Sequence, residues 1–513
     1  MIGGNRSWRG ARPGRVRFSI IAVLVERSLL AFGATAFLYL VTFRRGAFIY
    51  LFHKATTGVW VDEGARVAAG ETMYRDFSDV VGPGVVHLNA ALVRLFGQRL
   101  DVLAWAGIAM GVALALGLHA VTARVAGRAA RLLAPALFVA LVYAPGRSFG
   151  GPEWPALALV LAGLLPVMGR STSLARACVA GLGMGLASLF QLEMGVGVAL
   201  GVAAHMVREE RGRGGHALAF GLGCLAPPAL VMGGFALAAG APQVLSAWLL
   251  EPWRQRIAEL RLDLGQAWGA RVTAWATLGL GGAASAVAFL RPARPRSEAG
   301  LRLAARAGLG LLLAPAVAHV DAYTVTVQST VLLVCLAGAL ERLALSPRPA
   351  RRWMARAAVA VLGVGLLHGA AGLVVWRQLV QTQTRQRFRA GEAWIDAPAL
   401  ELEWIERRTV PGDRLFVFPA GGMFFFLTHT RNATSFPSMV EGRFGAAEQR
   451  RALREIDEAR PGVGVWLGAQ RYAAPPGAPG LDTLYEGIVA RYDREADLPT
   501  GTTLLRRKRD AGP

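Results

Sequence analysis

Lysine is almost absent from this chain. It occurs only at Lys54 and Lys508, so the 56 basic residues are nearly all arginine. Acids are also few, 34 in 513 residues, which leaves a formal charge of +22. A charge of that size raises nucleic acid as a partner, but the distribution argues against it. The arginines gather between apolar runs, at Arg124/Arg128/Arg131, Arg170/Arg176, Arg208/Arg211/Arg213, Arg291/Arg294/Arg296/Arg302/Arg306 and Arg348/Arg351/Arg352/Arg356. That is the pattern of positive-inside loops in a polytopic membrane protein. Cysteine is scarce too. Cys178, Cys224 and Cys335 lie in apolar runs without metal-ligand spacing, and the tail has none, so it holds no disulfide. No repeat of 20–50 residues and no low-complexity segment is present beyond the Ala/Gly/Leu bias of the apolar runs. The basic N-terminus (Arg6, Arg9, Arg12, Arg15, Arg17) is followed by an apolar run without a small-residue cleavage site, which reads as a retained first span.

What is abundant is apolar chain. Hydrophobic residues make up 54% of the sequence, against the roughly 45–50% usual in soluble domains. The excess stops near Gln378. About eleven segments are apolar enough to span a bilayer: roughly 20–43, 102–123, 131–145, 154–169, 174–190, 192–207, 217–239, 270–290, 303–319, 324–343 and 355–376. The expected organisation is a cytoplasmic basic N-terminus (1–19), a transmembrane domain (20–376) with a first external loop at 44–101, and an extracytoplasmic α/β domain (377–513). The arginine-rich loops place the N-terminus inside; Arg44-Arg45 breaks the rule but is outweighed. Loops 44–101, 146–153, 240–269 and 319–323 then lie outside with the tail. Glycines at Gly181/Gly185, Gly197/Gly201 and Gly365/Gly369 have the spacing of close helix packing in lipid, which also accounts for the glycine run 181–185 better than a nucleotide loop does.

The tail alternates strand and helix signals: strand Arg414–Phe418 after the Pro411-Gly412-Asp413 turn, helix Ala446–Ala459, strand Val463–Leu467, helix Leu481–Tyr492 and strand Thr502–Leu505. This βαβαβ order predicts a small α/β domain with some parallel sheet, supported by the membrane domain.

Chemistry is concentrated in the first external loop, which is long for a connection and therefore functional by expectation. It holds Asp62, Glu63, Glu71, Asp76, Asp79 and Asp101, interleaved with Trp60, Tyr74, Phe77, His87 and Asn89. Carboxylates accept hydrogen bonds from hydroxyls and aromatic faces pack on C–H faces, a combination suited to a polyol; a solvated loop is the plain alternative. Val85–Phe96 reads as a short amphipathic helix on the membrane surface.

The pattern Trp60, Asp62-Glu63-Gly64, Gly70-Glu71, Tyr74-Arg75-Asp76-Phe77, Gly82-Pro83-Gly84 and Leu95-Phe96-Gly97 resembles the first external loop of GT-C-fold membrane glycosyltransferases. The glycosyltransferase family 39-like group is the nearest in pattern, and it includes protein O-mannosyltransferases and lipid A aminoarabinose transferases. His319-Val320-Asp321 at an external helix end and Gly412–Val417 extend the likeness. The resemblance implies transfer of a sugar from a polyprenyl-phosphate donor to a cell-envelope acceptor (lipid, glycan or protein) at the outer face of the cytoplasmic membrane, with inversion. It puts Asp62 at the family's acidic position as base, with Glu63 orienting it or binding the acceptor. Glu153 stands where the family more often has Asp. The departing phosphate needs cations, for which Arg75, Arg147, Arg254, Arg256 and Arg261 lie on the expected side. Tyr74 and Asp76 are further candidates for binding substrate or phosphate, and His319 and Asp321 either reach the donor phosphate, pair with each other or form a plain polar cap. Gln191 stands near a turn where relatives carry a basic residue. Glu251–Arg256 fits either a phosphate grip or an interfacial anchor. A divalent cation is left open: relatives differ, and no compact Asp/His cluster demands one. The Asn432-Ala433-Thr434 sequon is incidental, Glu26 is expected to pair with Arg27, and His119, His205 and His368 are read as structural. The competing class is a transporter or flippase, which calls for ionisable residues deep in spans and broken helices in paired halves. The sequence has few of the first and no half-repeat.

Overall fold

A computed structural model describes residues 13–39, 55–77, 82–139, 151–168, 173–209, 214–250, 302–309, scattered positions between 330 and 353, 384–395, 399–419, 421–439, 444–467, 480–499 and 501–509. The first part is helical: α1 Pro13–Tyr39, α2 Ala55–Ala68, α3 Pro83–Phe96, α4 Leu100–Val125, α5 Arg128–Leu137, α6 Glu153–Val167, α7 Leu174–Phe190, α8 Leu192–Glu209, α9 Gly214–Ala239 and the short α10 Ala241–Leu245. The expected spans 102–123, 154–169, 174–190, 192–207 and 217–239 coincide with α4, α6, α7, α8 and α9. Among the described residues α4 and α9 are long and apolar enough to cross a membrane, while α6 and α7 are shorter apolar helices. Residues 302–309, at the start of the expected span 303–319, are helical. The spans 270–290 and 355–376 lie outside the described residues.

The helices share an apolar core in which Leu114, Leu118, Trp154, Leu157, Leu161, Met184 and Met194 are almost wholly buried. At Gly181/Gly185 the small-residue spacing does what it implied, while Gly365/Gly369 lie outside the described residues. A Cβ on Gly181 would meet the backbone of Phe220, Gly223 and Cys224, and one on Gly185 the backbone of Cys224, so α7 and α9 pack backbone to backbone. At the arginine-rich end, buried Glu26 pairs with Arg128 (2.6 Å) and Arg131 (2.8 Å) and lies 3.8 Å from His119. The expected partner was Arg27. Adjacent helical residues diverge by about 100° and do not face each other, and Glu26 reaches the start of α5 instead.

In the tail, β1 Thr384–Phe388 and β2 Gly391–Ile395 form a hairpin, followed by α11 Leu400–Arg408, β3 Arg414–Phe418, α12 Gly422–Thr428, β4 Arg431–Asn432, α13 Ala446–Ala459, β5 Val463–Trp466, α14 Asp482–Arg491, β6 Tyr492–Asp497 and β7 Thr503–Arg507. The sheet order is β4-β3-β5-β7-β6. Its β4-β3-β5 part is parallel and its β5-β7-β6 part antiparallel. Each strand and helix read from the sequence is present within a residue or two; the hairpin, α11, α12, β4 and β6 are additional. Strand alternation divides β3 between two cores. Phe416 and Phe418 pack with Leu453, Ile456 and Ile488 of α13 and α14. Leu415 and Val417 join a core that crosses from the tail to the helices, in which Val61, Leu100, Leu103 and Ala104 meet Phe388, Leu402 and Met423–Leu427. Hydrogen bonds reinforce that junction: Leu100 N–H to Ala390 O (2.9 Å), Gln98 Nε2 to Phe426 O (3.0 Å), and a His429 Nε2–Gln98 O contact of 3.0 Å.

Candidate active site

Residues 55–77, the described part of the segment expected to form the first external loop up to Pro83, are not a solvated acidic connection. Asp62 and Glu63 sit on α2, and α2 is enclosed. On one side α12 of the tail lies so close that a Cβ on Gly422 would strike the Gly58 backbone, and one on Gly58 would come within 2.6 Å of Met423 N. On another side α3 presses on Gly64, where a Cβ would stand 2.5 Å from that of Asn89, and the Asn89 amide donates to Trp60 O (3.1 Å). The start of α6 closes a third side. A Cβ on Gly151 would meet the Glu153 carboxylate and lie 3.8 Å from the Trp60 ring. Glu153, in the first turn of α6, is thereby brought beside the residue two positions before Asp62.

Enclosure sets the electrostatics. Asp62 is 3% exposed and Glu63 fully buried. Asp62 Oδ2 is buried with no hydrogen-bond partner among the described residues. Burial pushes the Asp62 carboxyl up to about 7 from 3.8; Arg66, one helical turn on, pulls it down and Glu71 raises it again. Arg66 is buried and heavily engaged. Its Nε donates to Glu71 Oε2 (2.7 Å), Nη1 donates to Thr434 O of the tail (3.3 Å), and the guanidinium lies 4.5 Å from the Phe77 ring centre.

The Tyr74–Phe77 segment forms a tight turn. Tyr74 has φ +68° and donates its N–H to Phe77 O (2.6 Å). Its buried ring meets Phe235 of α9 edge-on at 5.1 Å. Asp76 accepts from Thr72 N–H (2.7 Å) and takes both Nε and Nη2 of Arg75, which hold its carboxyl below the usual range. Arg75 is 54% exposed. The Gly82-Pro83-Gly84 motif has a steric cause. Pro83 opens α3, and side chains at either glycine would collide with Leu189 and Phe190 at the end of α7. Gln191 follows at once and donates to Glu193 (3.1 Å).

Next to this turn, α7, α8, α9, α10 and the following Ser246–Leu250 turn border an open apolar groove of ≈ 610 Å³, lined by groups such as Met184, Leu225, Met232, Val244 and Trp248. Met232 and Val244 belong to the same apolar cluster as Met73, Tyr74 and Phe77. Arg147, Arg254, Arg256, Arg261, His319 and Asp321 lie outside the described residues. Among the described residues no three His, Cys, Asp or Glu converge to hold a metal ion. The sequence reading overlooked Arg66, although its i,i+4 spacing from Asp62 was visible.

No protein-family model matches the chain, and no curated protein matches it by sequence. Solved structures do. The archaeal oligosaccharyltransferase AglB from Archaeoglobus fulgidus, in complex with an inhibitory peptide and a dolichol-phosphate, is 13% identical with a TM-score of 0.52, covering 95% of this chain and 75% of its own. ArnT from Cupriavidus metallidurans bound to undecaprenyl phosphate is 13% identical with a TM-score of 0.56, covering 98% and 100%. The Archaeoglobus fulgidus oligosaccharyltransferase in complex with Zn and sulfate is 14% identical with a TM-score of 0.50, covering 94% and 74%. At these identities the likeness speaks to architecture, and it agrees with the first-loop pattern: the chain has the GT-C fold of polytopic membrane glycosyltransferases.

Proposed function

We propose that this protein is an integral-membrane glycosyltransferase that moves a sugar from a polyprenyl-phosphate donor to a cell-envelope acceptor, with inversion, at the outer face of the cytoplasmic membrane. The observation that carries this reading is Asp62: a buried carboxyl held near neutrality, with one oxygen unpartnered among the described residues. A carboxylate of that pKa is ionised in a large fraction of molecules at neutral pH and is a stronger base than an exposed aspartate. The acceptor oxygen attacks the anomeric carbon and its proton passes to Asp62. The bond from that carbon to the phosphate oxygen breaks, and polyprenyl phosphate leaves with the electron pair. Glu63 and Glu153 orient the acceptor. Arginines neutralise the leaving phosphate. Arg75 is already bound to Asp76, so Arg147, Arg254 and Arg256 are the stronger candidates, with His319 and Asp321 beside the donor. The apolar groove beside Tyr74 suits a prenyl chain. AglB and ArnT are solved with dolichol-phosphate and undecaprenyl phosphate, which supports a carrier of that class here.

The test is Asp62→Asn in purified, vesicle-reconstituted protein, given undecaprenyl-phosphate hexoses and pentoses with an envelope lipid extract, following release of undecaprenyl phosphate. Loss of release with donor binding retained is expected. Near-normal release would show that Asp62 is not the base.

A further inference from the structure

Arg66 is the buried cation nearest in sequence to Asp62, yet all of its described contacts go elsewhere. It grips Glu71, which follows α2, stacks on Phe77 in the next turn, and reaches across to Thr434 O, more than 360 residues on. The tail side of this contact is built with equal care. The Asn432 amide donates to Phe436 O (2.8 Å), and its Oδ1 accepts the Thr434 N–H (3.0 Å). Arg414 donates to Asn432 O (3.0 Å). Asn432 and Thr434 are buried, so the residues of the sequon serve as an internal brace that presents one carbonyl to Arg66.

Resting on the functional reading above, we propose that Arg66 is a positioning residue: it tethers the 430–436 loop of the tail to α2 and holds a fixed positive charge one helical turn from Asp62, so that the base is set for reaction only when the tail is docked. The charged groups around Asp62 can be named. Its own helix carries Glu63 and Arg66; the following turn supplies Glu71 and Asp76; α6 brings Glu153; α3 contributes Arg94, which is spent on Val67 O (2.8 Å). The α12 face opposite carries no charge between Gly422 and Thr428. Among the described residues Arg66 is the cation whose charge lowers the Asp62 carboxyl, and Glu71 is the acid that raises it.

The test uses the full-length purified protein and two readouts, backbone hydrogen exchange and the pH profile of donor turnover. In Arg66→Gln, exchange over 421–436 is expected to accelerate, and the acid limb of turnover to move to higher pH by roughly one unit, because the stabilising charge is gone and Glu71 is left unpaired. Glu71→Gln is expected to move the limb the opposite way. Arg66→Lys keeps the charge without the planar fork and is expected to restore the limb but not the exchange protection. Should Arg66→Gln fail to fold, Asn432→Ala loosens the brace from the tail side and is expected to raise exchange over 62–71. Wild-type exchange in both Arg66→Gln and Asn432→Ala overturns the tether, and an unmoved limb in both Arg66→Gln and Glu71→Gln reduces Arg66 to a structural strut. Exchange is read without any donor, so absence of turnover in the wild type would defeat the functional reading while the tether is still decided.

Discussion

Two buried acids sit in this molecule in opposite circumstances. Glu26, at the arginine-rich end, is met by Arg128 at 2.6 Å and Arg131 at 2.8 Å. Asp62, under the tail, makes no such ion pair among the described residues, and its neighbouring cation is already held by Glu71. Burial is the same cost in both places. At Glu26 it is offset by pairing, which pins α1 to α5. At Asp62 it is left partly unrelieved, and the carboxyl responds by holding its proton to about pH 7. A perturbed acid enclosed by elements brought from distant parts of the chain is the arrangement on which the proposed base role rests.

The sharpest way to break this contrast is a pair of isosteric amides. Asp62→Asn is expected to reduce transfer by roughly 10²–10⁴-fold, the usual contribution of a general base, with little loss of fold. Glu26→Gln is expected to leave transfer per folded molecule unchanged and to lower the apparent Tm. A reversal of these two outcomes would invert the assignment.

Next in size is the effect of Asp62 on stability. Its folded-state pKa lies above the unfolded value, so the folded state binds the proton more tightly, and stability falls as pH rises from about 4 to about 7. Above that window the ionised side chain destabilises the fold by up to about 4 kcal/mol. Asp62→Asn is therefore expected to raise Tm relative to wild type at pH 8 and to lose most of that advantage at pH 4.5. Thermal scans at the two pH values measure it.

A smaller effect isolates the enclosure itself. Gly422→Val drives a branched side chain into the Gly58 backbone. It is expected to weaken tail docking by about 1–3 kcal/mol, seen as faster hydrogen exchange at 58–66 and 421–428 and a drop of the acid limb of activity toward the range of an exposed aspartate. The smallest change is expected from Arg75→Ala. Arg75 is exposed and committed to its neighbour Asp76, so donor KM should shift less than in Arg254→Ala or Arg256→Ala.

The contrast also explains what could be read in advance. The amphipathic helix expected at 85–96 is α3, and tail strand Arg414–Phe418 and helix Ala446–Ala459 fall where periodicity put them. These signals are local: an apolar stripe, a turn before a strand. The acidic residue of interest was also visible, through its pattern with Gly82-Pro83-Gly84 and Tyr74–Phe77. Its burial was not. A polar stretch such as Asp62-Glu63-Gly64-Ala65-Arg66 looks solvated until Gly422–Thr428, some 360 residues later, is known to cover it. The hairpin Thr384–Ile395 was missed for a related reason: Thr384–Phe388 reads TRQRF, without apolar alternation, and its turn is held from elsewhere at Ala390, whose carbonyl accepts from Leu100 N–H and whose N–H donates to Leu427 O. The pairing of Glu26 with Arg128 and Arg131 is likewise a product of tertiary packing.

The measurement that bears most directly on the account is the pH dependence of donor turnover between pH 5 and 9, in wild type and Asp62→Asn side by side. The expected result is a wild-type rate that rises through a midpoint near 7 and a residual Asp62→Asn rate without that limb. An Asp62→Asn enzyme that turns over near the wild-type rate with the same midpoint would contradict the assignment of Asp62 as the base.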